Sequence, residues 1–392
     1  MSRADVTAER DRIGGPARAT GLPLVGLTLG TDEAWSARFW RWDGQRFERA
    51  WCDKVRVVGR RLGVTYNAEK MPPPQRRPTL RRTTDTWGSA RQSDLARLRF
   101  GVVGLGSVGS MVAEALARIG VEHLVLVDAD RVKTHNLDRL LYASEADVGR
   151  LKVELAADAL RRSATAARLR IDAIAGWIQQ EGCYRAALDC DVLFSCVDRP
   201  LPKDLLNHIA YTHCIPVVFG GVFVDTKRDG TLGQAAWSVV RSGPGHRCLR
   251  CDGQYTTSDV VLERDGSLDD PSYVARLAGG RPMNQNVFPF SANLASLMTL
   301  EMLRMVIGAS WWPEPGGKLH YSYVPGTLHA VAEPCRNHCE VMARTASGDQ
   351  TAYPFLVTGP EHLDRSLPSS VGARLLARLR KLSQGLVGGR SS

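Results

Sequence analysis

The stretch RFGVVGLGSVGSMVAEALARIG, residues 99–120, decides the fold. An apolar run, a glycine-rich turn and a helix-period segment follow one another without a spacer. Gly104, Gly106 and Gly109 form G-x-G-x-x-G between a strand and a helix. Glycines there permit a tight turn and a close approach of backbone to phosphate, and the helix N-terminus favours an anion. The turn suits the phosphates of a dinucleotide and those of ATP alike.

Further along, HLVLVDAD (123–130) reads as a strand that ends in Asp128 and Asp130. A carboxylate at that position binds a ribose hydroxyl, again in NAD or in ATP. KVELAADALRRSA reads as a helix, LRIDAIAG and DVLFSCVD as strands, LPKDLLNHIAYTH as a helix and IPVVFGGVF as a strand. This alternation, from 99 to about 225, predicts an α/β fold with a doubly wound, Rossmann-like parallel sheet. Residues 231–240 and 318–332 read as later strands that extend the sheet in antiparallel fashion, and 291–308 as a long apolar helix.

The residues between the strands separate the two nucleotides. Asn136, Arg139 and Lys152 follow the carboxylate within one crossover. Hydride transfer has no need of an arginine and a lysine there. Cleavage of a triphosphate does, because charge grows on the phosphate oxygens in the transition state. Asp198 follows another strand, at the end of the sheet where ligands bind, and a carboxylate there can hold magnesium against the phosphates.

Over roughly residues 80–340 the chain resembles the ThiF/MoeB/ubiquitin-activating adenylyltransferases. It carries their glycine turn, the D-x-D strand end, N-L-x-R (Asn136 to Arg139), V-G-x-x-K (ending at Lys152) and the late Asp198, in order. The resemblance implies ATP and magnesium as cofactors. It implies as substrate the C-terminal glycine carboxylate of a ubiquitin-like or sulfur-carrier protein. It assigns Asp128 to the ribose, Asn136, Arg139 and Lys152 to the triphosphate, and Asp198 to magnesium; Asp130 belongs to the same nucleotide-binding strand end. Ser107 stands where the family commonly has a further glycine. Arg82, six residues before Gly88, matches an arginine that family members supply across a dimer, with Thr83 in place of the family's glutamine. That match implies a homodimer. Three rivals remain: ThiF-like adenylation of a ribosomal peptide; an NAD(P)-dependent oxidoreductase, which leaves Lys152, Asp198 and the paired cysteines unexplained; and a non-catalytic scaffold, against which the intact Arg/Lys/Asp set argues.

Nine cysteines are too few for a disulfide scaffold of 392 residues. Four are paired, Cys248 with Cys251 and Cys335 with Cys339, at spacings that let thiolates share a tetrahedral zinc. His338 is an alternative fourth ligand. A closed four-thiolate site is structural, since it leaves no position for water. Residues 252–334 contain no cysteine, whereas relatives that form a thioester often carry one there. Cys190, Cys196 and Cys214 read as core, and Cys52 lies in the N-terminal module. Cys183, in the polar stretch QQEGCYRAALDC, is the only exposed candidate nucleophile inside the adenylation domain but lies on the wrong connection. The chain is therefore expected to stop at the acyl-adenylate.

Net charge is +10, with the excess in the flanks: residues 1–100 hold 20 Lys/Arg against 11 Asp/Glu. Solvated flanking arginines account for this without a nucleic-acid partner. No apolar run reaches membrane-spanning length and the N-terminus lacks a signal-like core, so the expected location is cytoplasmic. The expected organisation is a disordered lead (1–20), a small β-rich module (21–70), a proline linker (71–80), the adenylation domain (81–343) and a tail (344–392) with an amphipathic helix at 371–382. The β-rich module resembles the last strands of a JAB/MPN-type domain. It lacks that domain's H-x-H zinc motif, because His123 is the first histidine of the chain.

Overall fold

The computed structural model describes residues 24–357 except 32–33, 43, 46, 228, 270–284 and 309–316, together with positions 7, 9, 12 and 19–21. The helix expected at 371–382 and most of the expected disordered lead lie outside the described residues. At the N-terminal side, β1 (Leu24–Leu29), β2 (Trp35–Trp42) and β3 (Phe47–Trp51) form an antiparallel three-stranded sheet. A hairpin follows, β4 (Lys54–Val58) with β5 (Leu62–Tyr66).

This hairpin is fastened to the main sheet. Asp191, fully buried, accepts from Lys54 Nζ at 2.5 Å, from Arg56 Nη1 at 3.3 Å and from the backbone N–H of Arg99 at 2.9 Å. Leu62 belongs to the main core, and the Arg97 guanidinium stacks on the Tyr66 ring at 3.9 Å. A buried carboxylate with three donors is stable only while all three are present, so the charge pattern fixes the docking.

Two short helices, α1 (Arg81–Trp87) and α2 (Ser89–Arg97), lead into the main sheet. Its strands are β6 (Arg99–Val103), β7 (His123–Val127), β8 (Arg170–Ile174), β9 (Val192–Ser195), β10 (Val217–Thr226), β11 (Leu232–Ser242), β12 (Lys318–Ser322) and β13 (Thr327–Val331). Their order is β13-β12-β11-β10-β9-β6-β7-β8. Strands β6 to β10 run parallel and β11 to β13 are added antiparallel, the expected extension. The parallel strands are apolar runs because helices cover both faces. On one face lie α3 (Ser107–Arg118) and α4 (Lys152–Ser163); Val153, Ala156, Ala157 and Leu160 bury the inner stripe of α4 at helical spacing. The other face carries α5 (Glu181–Leu188) and α6 (Pro200–Thr212). Next come α7 (Thr257–Arg264), opened by a reciprocal Thr256–Asp259 capping box, and the long α8 (Phe288–Val306), which packs on α3. A short helix, α9 (Glu340–Ala343), follows the last cysteine. The strand order reverses between β6 and β9, and ligands of such sheets bind at that switch point.

Candidate active site

A cavity of about 820 Å³ opens at the C-terminal ends of β6, β7 and β9. The glycine turn forms its floor. Gly104 has φ +87°, and a Cβ there would come within 2.6 Å of the Cys196 carbonyl oxygen. A Cβ on Gly109 would lie 1.8 Å from the Gly104 oxygen, so the turn closes only with glycine at both places. A Cβ on Gly106 would meet nothing within 4 Å: that position faces open space, where a phosphate can approach the backbone.

Asp128 holds this turn in shape. Its Oδ2 accepts the Leu105 N–H at 2.5 Å and its Oδ1 accepts the Asp130 N–H at 2.7 Å. Burial pushes its carboxyl above the usual carboxylate range, against the opposing pull of Lys152 and of those two N–H groups. Sequence reasoning gave Asp128 only a ribose contact and missed this bracing role. Lys152, at the start of α4 and largely buried, donates to Asp130 Oδ2 at 2.7 Å. Asn136 accepts the Lys133 N–H at 3.1 Å and so closes its own turn. Arg139 donates to the His135 carbonyl at 2.6 Å and to Asp138 at 2.8 Å. Both line the cavity, as do Ser107, Asp130, Lys152 and Asp198. The Asp198 carboxylate has no hydrogen bond or ion pair among the described residues, so its oxygens stand free as ligands for a hard cation.

Gly109 lies beneath the turn rather than on the cavity wall, and Arg82 is exposed on α1 and absent from the wall. The structure adds wall residues that the sequence reading did not select. Lys203 is five residues beyond Asp198, on the first turn of α6, and its spacing was legible. Asn286 donates to Ser107 Oγ at 3.3 Å, and Phe355 and Val357 come from beyond the last cysteine; no local pattern announces them. Val357 reaches the wall by backbone pairing with Gln179 and Glu181.

The cysteine expectations need correction at three places. Cys214, expected in the core, is only partly buried, its thiol donating to the Tyr211 carbonyl at 3.7 Å. Cys183 is fully buried, not exposed: it falls on the inner stripe of α5 with Tyr184 and Ala187. The polar residues around it occupy the opposite side of the same helix. Cys196 is not simply core, since it is only partly buried and lines the cavity; its surroundings push its thiol well above the ordinary range.

Cys248, Cys251, Cys335 and Cys339 come together with all four Sγ atoms within 4.8 Å of one another. Cys339 Sγ lies 3.7 Å from Cys248 Sγ and 3.6 Å from Cys251 Sγ. A tetrahedral ion with sulfur ligands at about 2.3 Å sets its sulfurs about 3.8 Å apart, so these thiols fit a zinc ion. Backbone N–H groups of Cys248 and Cys251 point at Cys335 Sγ (3.1 Å) and Cys248 Sγ (3.3 Å), a second shell that favours thiolates. His338 is exposed and outside the cluster.

A family model described as ThiF family matches residues 80–341. The molybdopterin-synthase adenylyltransferase of Escherichia coli (strain K12) is 27% identical over 222 residues, which is 54% of this chain and 86% of that protein. The SAMP-activating enzyme E1 of Haloferax volcanii is 30% identical over 165 residues, 42% of this chain and 58% of that protein. The fold is also that of Escherichia coli MccB solved with ATP, at a TM-score of 0.53 and 18% identity over 68% of this chain and 74% of MccB. No helix among the described residues is long and apolar enough to cross a membrane.

Proposed function

The chain belongs to the ThiF family, and from that premise we propose that it uses ATP to adenylate the C-terminal carboxylate of a small ubiquitin-like or sulfur-carrier protein. One observation carries the reading: Arg139, Lys152 and Asp198 share one cavity around the glycine turn. Two cations and a free carboxylate suit triphosphate chemistry and serve no purpose in hydride transfer. Both curated relatives described above are named as activating or adenylating enzymes of this kind.

In the proposed reaction a carboxylate oxygen of the carrier attacks the α-phosphorus of ATP. The bond from that phosphorus to the bridging oxygen breaks, and its electron pair leaves with pyrophosphate. No proton moves, so the protein needs no general base. Its work is positioning and charge stabilisation. The open backbone at Gly106 admits the phosphates, and Arg139 and Lys152 offset charge on their oxygens. Lys152 is poised to exchange part of its contact with Asp130 for the incoming phosphate. Magnesium, when bound, would neutralise phosphate charge, and Asp198 offers it an oxygen ligand. The four cysteines would hold a structural zinc. Burial of Cys183 and Cys190 and the raised thiol of Cys196 favour a chain that stops at the acyl-adenylate and passes it to an external nucleophile.

Arg82 would act across a homodimer, which accords with its exposure and its absence from the cavity wall of its own chain. The proposed organisation keeps residues 81–343 as the adenylation domain.

The test is ATP–pyrophosphate exchange with small proteins that end in Gly-Gly. Exchange is expected with a free C-terminal carboxylate and not with its amide. Asp198→Ala should lower exchange about a hundredfold or more while the melting temperature holds. Exchange with short peptides alone would move the reading to peptide adenylation. Full exchange in Asp198→Ala would remove that residue from the mechanism.

A further inference from the structure

Beyond Arg139 and Lys152 the cavity wall carries three more cations, Arg199, Lys203 and Arg264, and Lys203 is the one whose side chain is without a hydrogen bond or ion pair among the described residues. Lys203 lies on the first turn of α6, five residues after Asp198. Its ammonium sits over the Phe219 ring, 5.1 Å from the centroid. Among the described residues it makes no hydrogen bond and no ion pair. The carboxylates nearest to it are Asp198, Glu263 and Asp259. Glu263 is committed elsewhere: its Oε2 accepts the Leu201 N–H at 2.6 Å, and its Oε1 lies 3.7 Å from Arg199. Burial lowers the affinity of Lys203 for its proton more than those carboxylates raise it. A largely buried ammonium whose neighbouring carboxylates make no ion pair with it among the described residues is only partly compensated, and a ligand anion completes the compensation.

The sheet order says which anion. Lys203 follows β9 and lies against Phe219 of β10, on one side of the glycine turn. Arg139 and Lys152 follow β7, on the other side. The cavity therefore has two cationic walls with the turn between them. Gly220 and Gly221, which follow Phe219 on β10, also line the cavity, with Met298 and the Phe219 ring packed where their side chains would stand. Adenylation must bring two anions into bonding distance, a triphosphate and a carboxylate, and each needs its own counter-charge.

We propose that Lys203 binds the C-terminal carboxylate of the substrate, holding it on the β9–β10 wall while the triphosphate occupies the β7 wall. This rests on the adenylation reading and names the residue that receives its second substrate. One carboxylate oxygen pairs with the ammonium. The other attacks the α-phosphorus, and the bond to the bridging oxygen breaks as pyrophosphate leaves. The acyl group then carries no negative charge, so its hold on Lys203 weakens as the adenylate forms. Lys203 thus discriminates the free acid from the acylated product.

The experiment uses the full chain with Lys203→Met, which keeps the length and loses the charge, and Lys203→Arg, which restores the charge. Melting curves establish that each variant folds. Binding of the α,β-methylene analogue of ATP with magnesium is measured by calorimetry. Lys203→Met is expected to stay within about twofold of wild type, whereas Lys152→Met weakens binding by about tenfold or more. In pyrophosphate exchange with a Gly-Gly-ending protein, Lys203→Met is expected to raise the KM for that protein about tenfold to a hundredfold, the scale of a lost charge-assisted hydrogen bond. Lys203→Arg should recover most of that loss. A tenfold weaker grip on the ATP analogue in Lys203→Met would make the residue a phosphate ligand and overturn the assignment. Exchange in that variant with an unchanged KM would also overturn it and leave the adenylation reading standing. A wild-type chain that binds the analogue but exchanges with no Gly-Gly protein sinks the adenylation reading and the assignment together.

Discussion

Changing Cys248 to serine tests the metal site and its reach into the cavity. The Sγ atoms of Cys248 and Cys251 lie 3.7 and 3.6 Å from that of Cys339, already close to the about 3.8 Å edge of a zinc–thiolate tetrahedron. Zinc binding therefore requires little rearrangement, and nearly all of its free energy appears as folding stability. Structural zinc contributes about 10–16 kcal/mol in small zinc domains, so one ligand in four is worth about 3–4 kcal/mol. For a chain of this size, with an unfolding entropy of about 0.8 kcal/mol/K, that lowers the melting temperature by about 4–5 °C. The cluster also anchors the segment that runs through α9 to Phe355 and Val357 on the cavity wall. Tyr353 ties the segment down, its hydroxyl donating to Asp204 Oδ2 at 2.9 Å. The assay is metal analysis of purified chain, melting curves, and titration with the ATP analogue. Wild type should carry about one zinc, and Cys248→Ser should lose it, melt lower and bind the analogue more weakly. Full zinc content in Cys248→Ser, or a wild-type melting curve unmoved by a strong chelator, would refute the reasoning.

Two further outcomes are expected. Arg82→Ala and Asp198→Ala chains should each be inactive in exchange. Mixed and allowed to trade subunits, they should regain about a quarter of wild-type activity, because half the dimers are mixed and each has one complete site; no recovery would rule out an arginine supplied across the dimer. His208, buried and then further opposed by His213 and Arg344, is pushed down to about 4. Between that value and the ordinary 6.5 the unfolded chain binds more protons, so stability should fall as pH drops through this window. His208→Phe, which preserves an aromatic ring against Tyr353, should flatten the slope between pH 7 and pH 5, measured from urea midpoints, and an unchanged slope would exclude His208 as its source.

The sequence by itself determined the parallel sheet, the glycine turn and the carboxylates and cations around it. The glycine turn, Asp128 and Asp198 lie just after parallel strands. In a doubly wound sheet the ends of neighbouring strands meet at one place whatever the packing details, so these converge by topology. Lys152, which opens α4, is instead returned to the site by backbone pairing at Asp130 and Arg131. The cysteine pairs were legible for a similar reason, since two short hooks of soft ligands have few other uses. Tertiary structure alone decided what depends on side-chain direction and on contacts between distant segments. Cys183 reads as exposed from its polar neighbours, yet helical period turns it to the core beside Tyr184. Asp191 looks like one more acidic residue before a strand until Lys54 and Arg56 of the hairpin close on it. Phe355 and Val357 enter the cavity wall only because Val357 pairs with the backbone of Gln179 and Glu181. Lys203 could be placed near Asp198 by counting residues. Whether its charge had a partner depended on where Glu263, from another helix, spent its own hydrogen bonds. Such contacts join residues far apart in the chain, and only the packed core fixes which of the many possible pairs form.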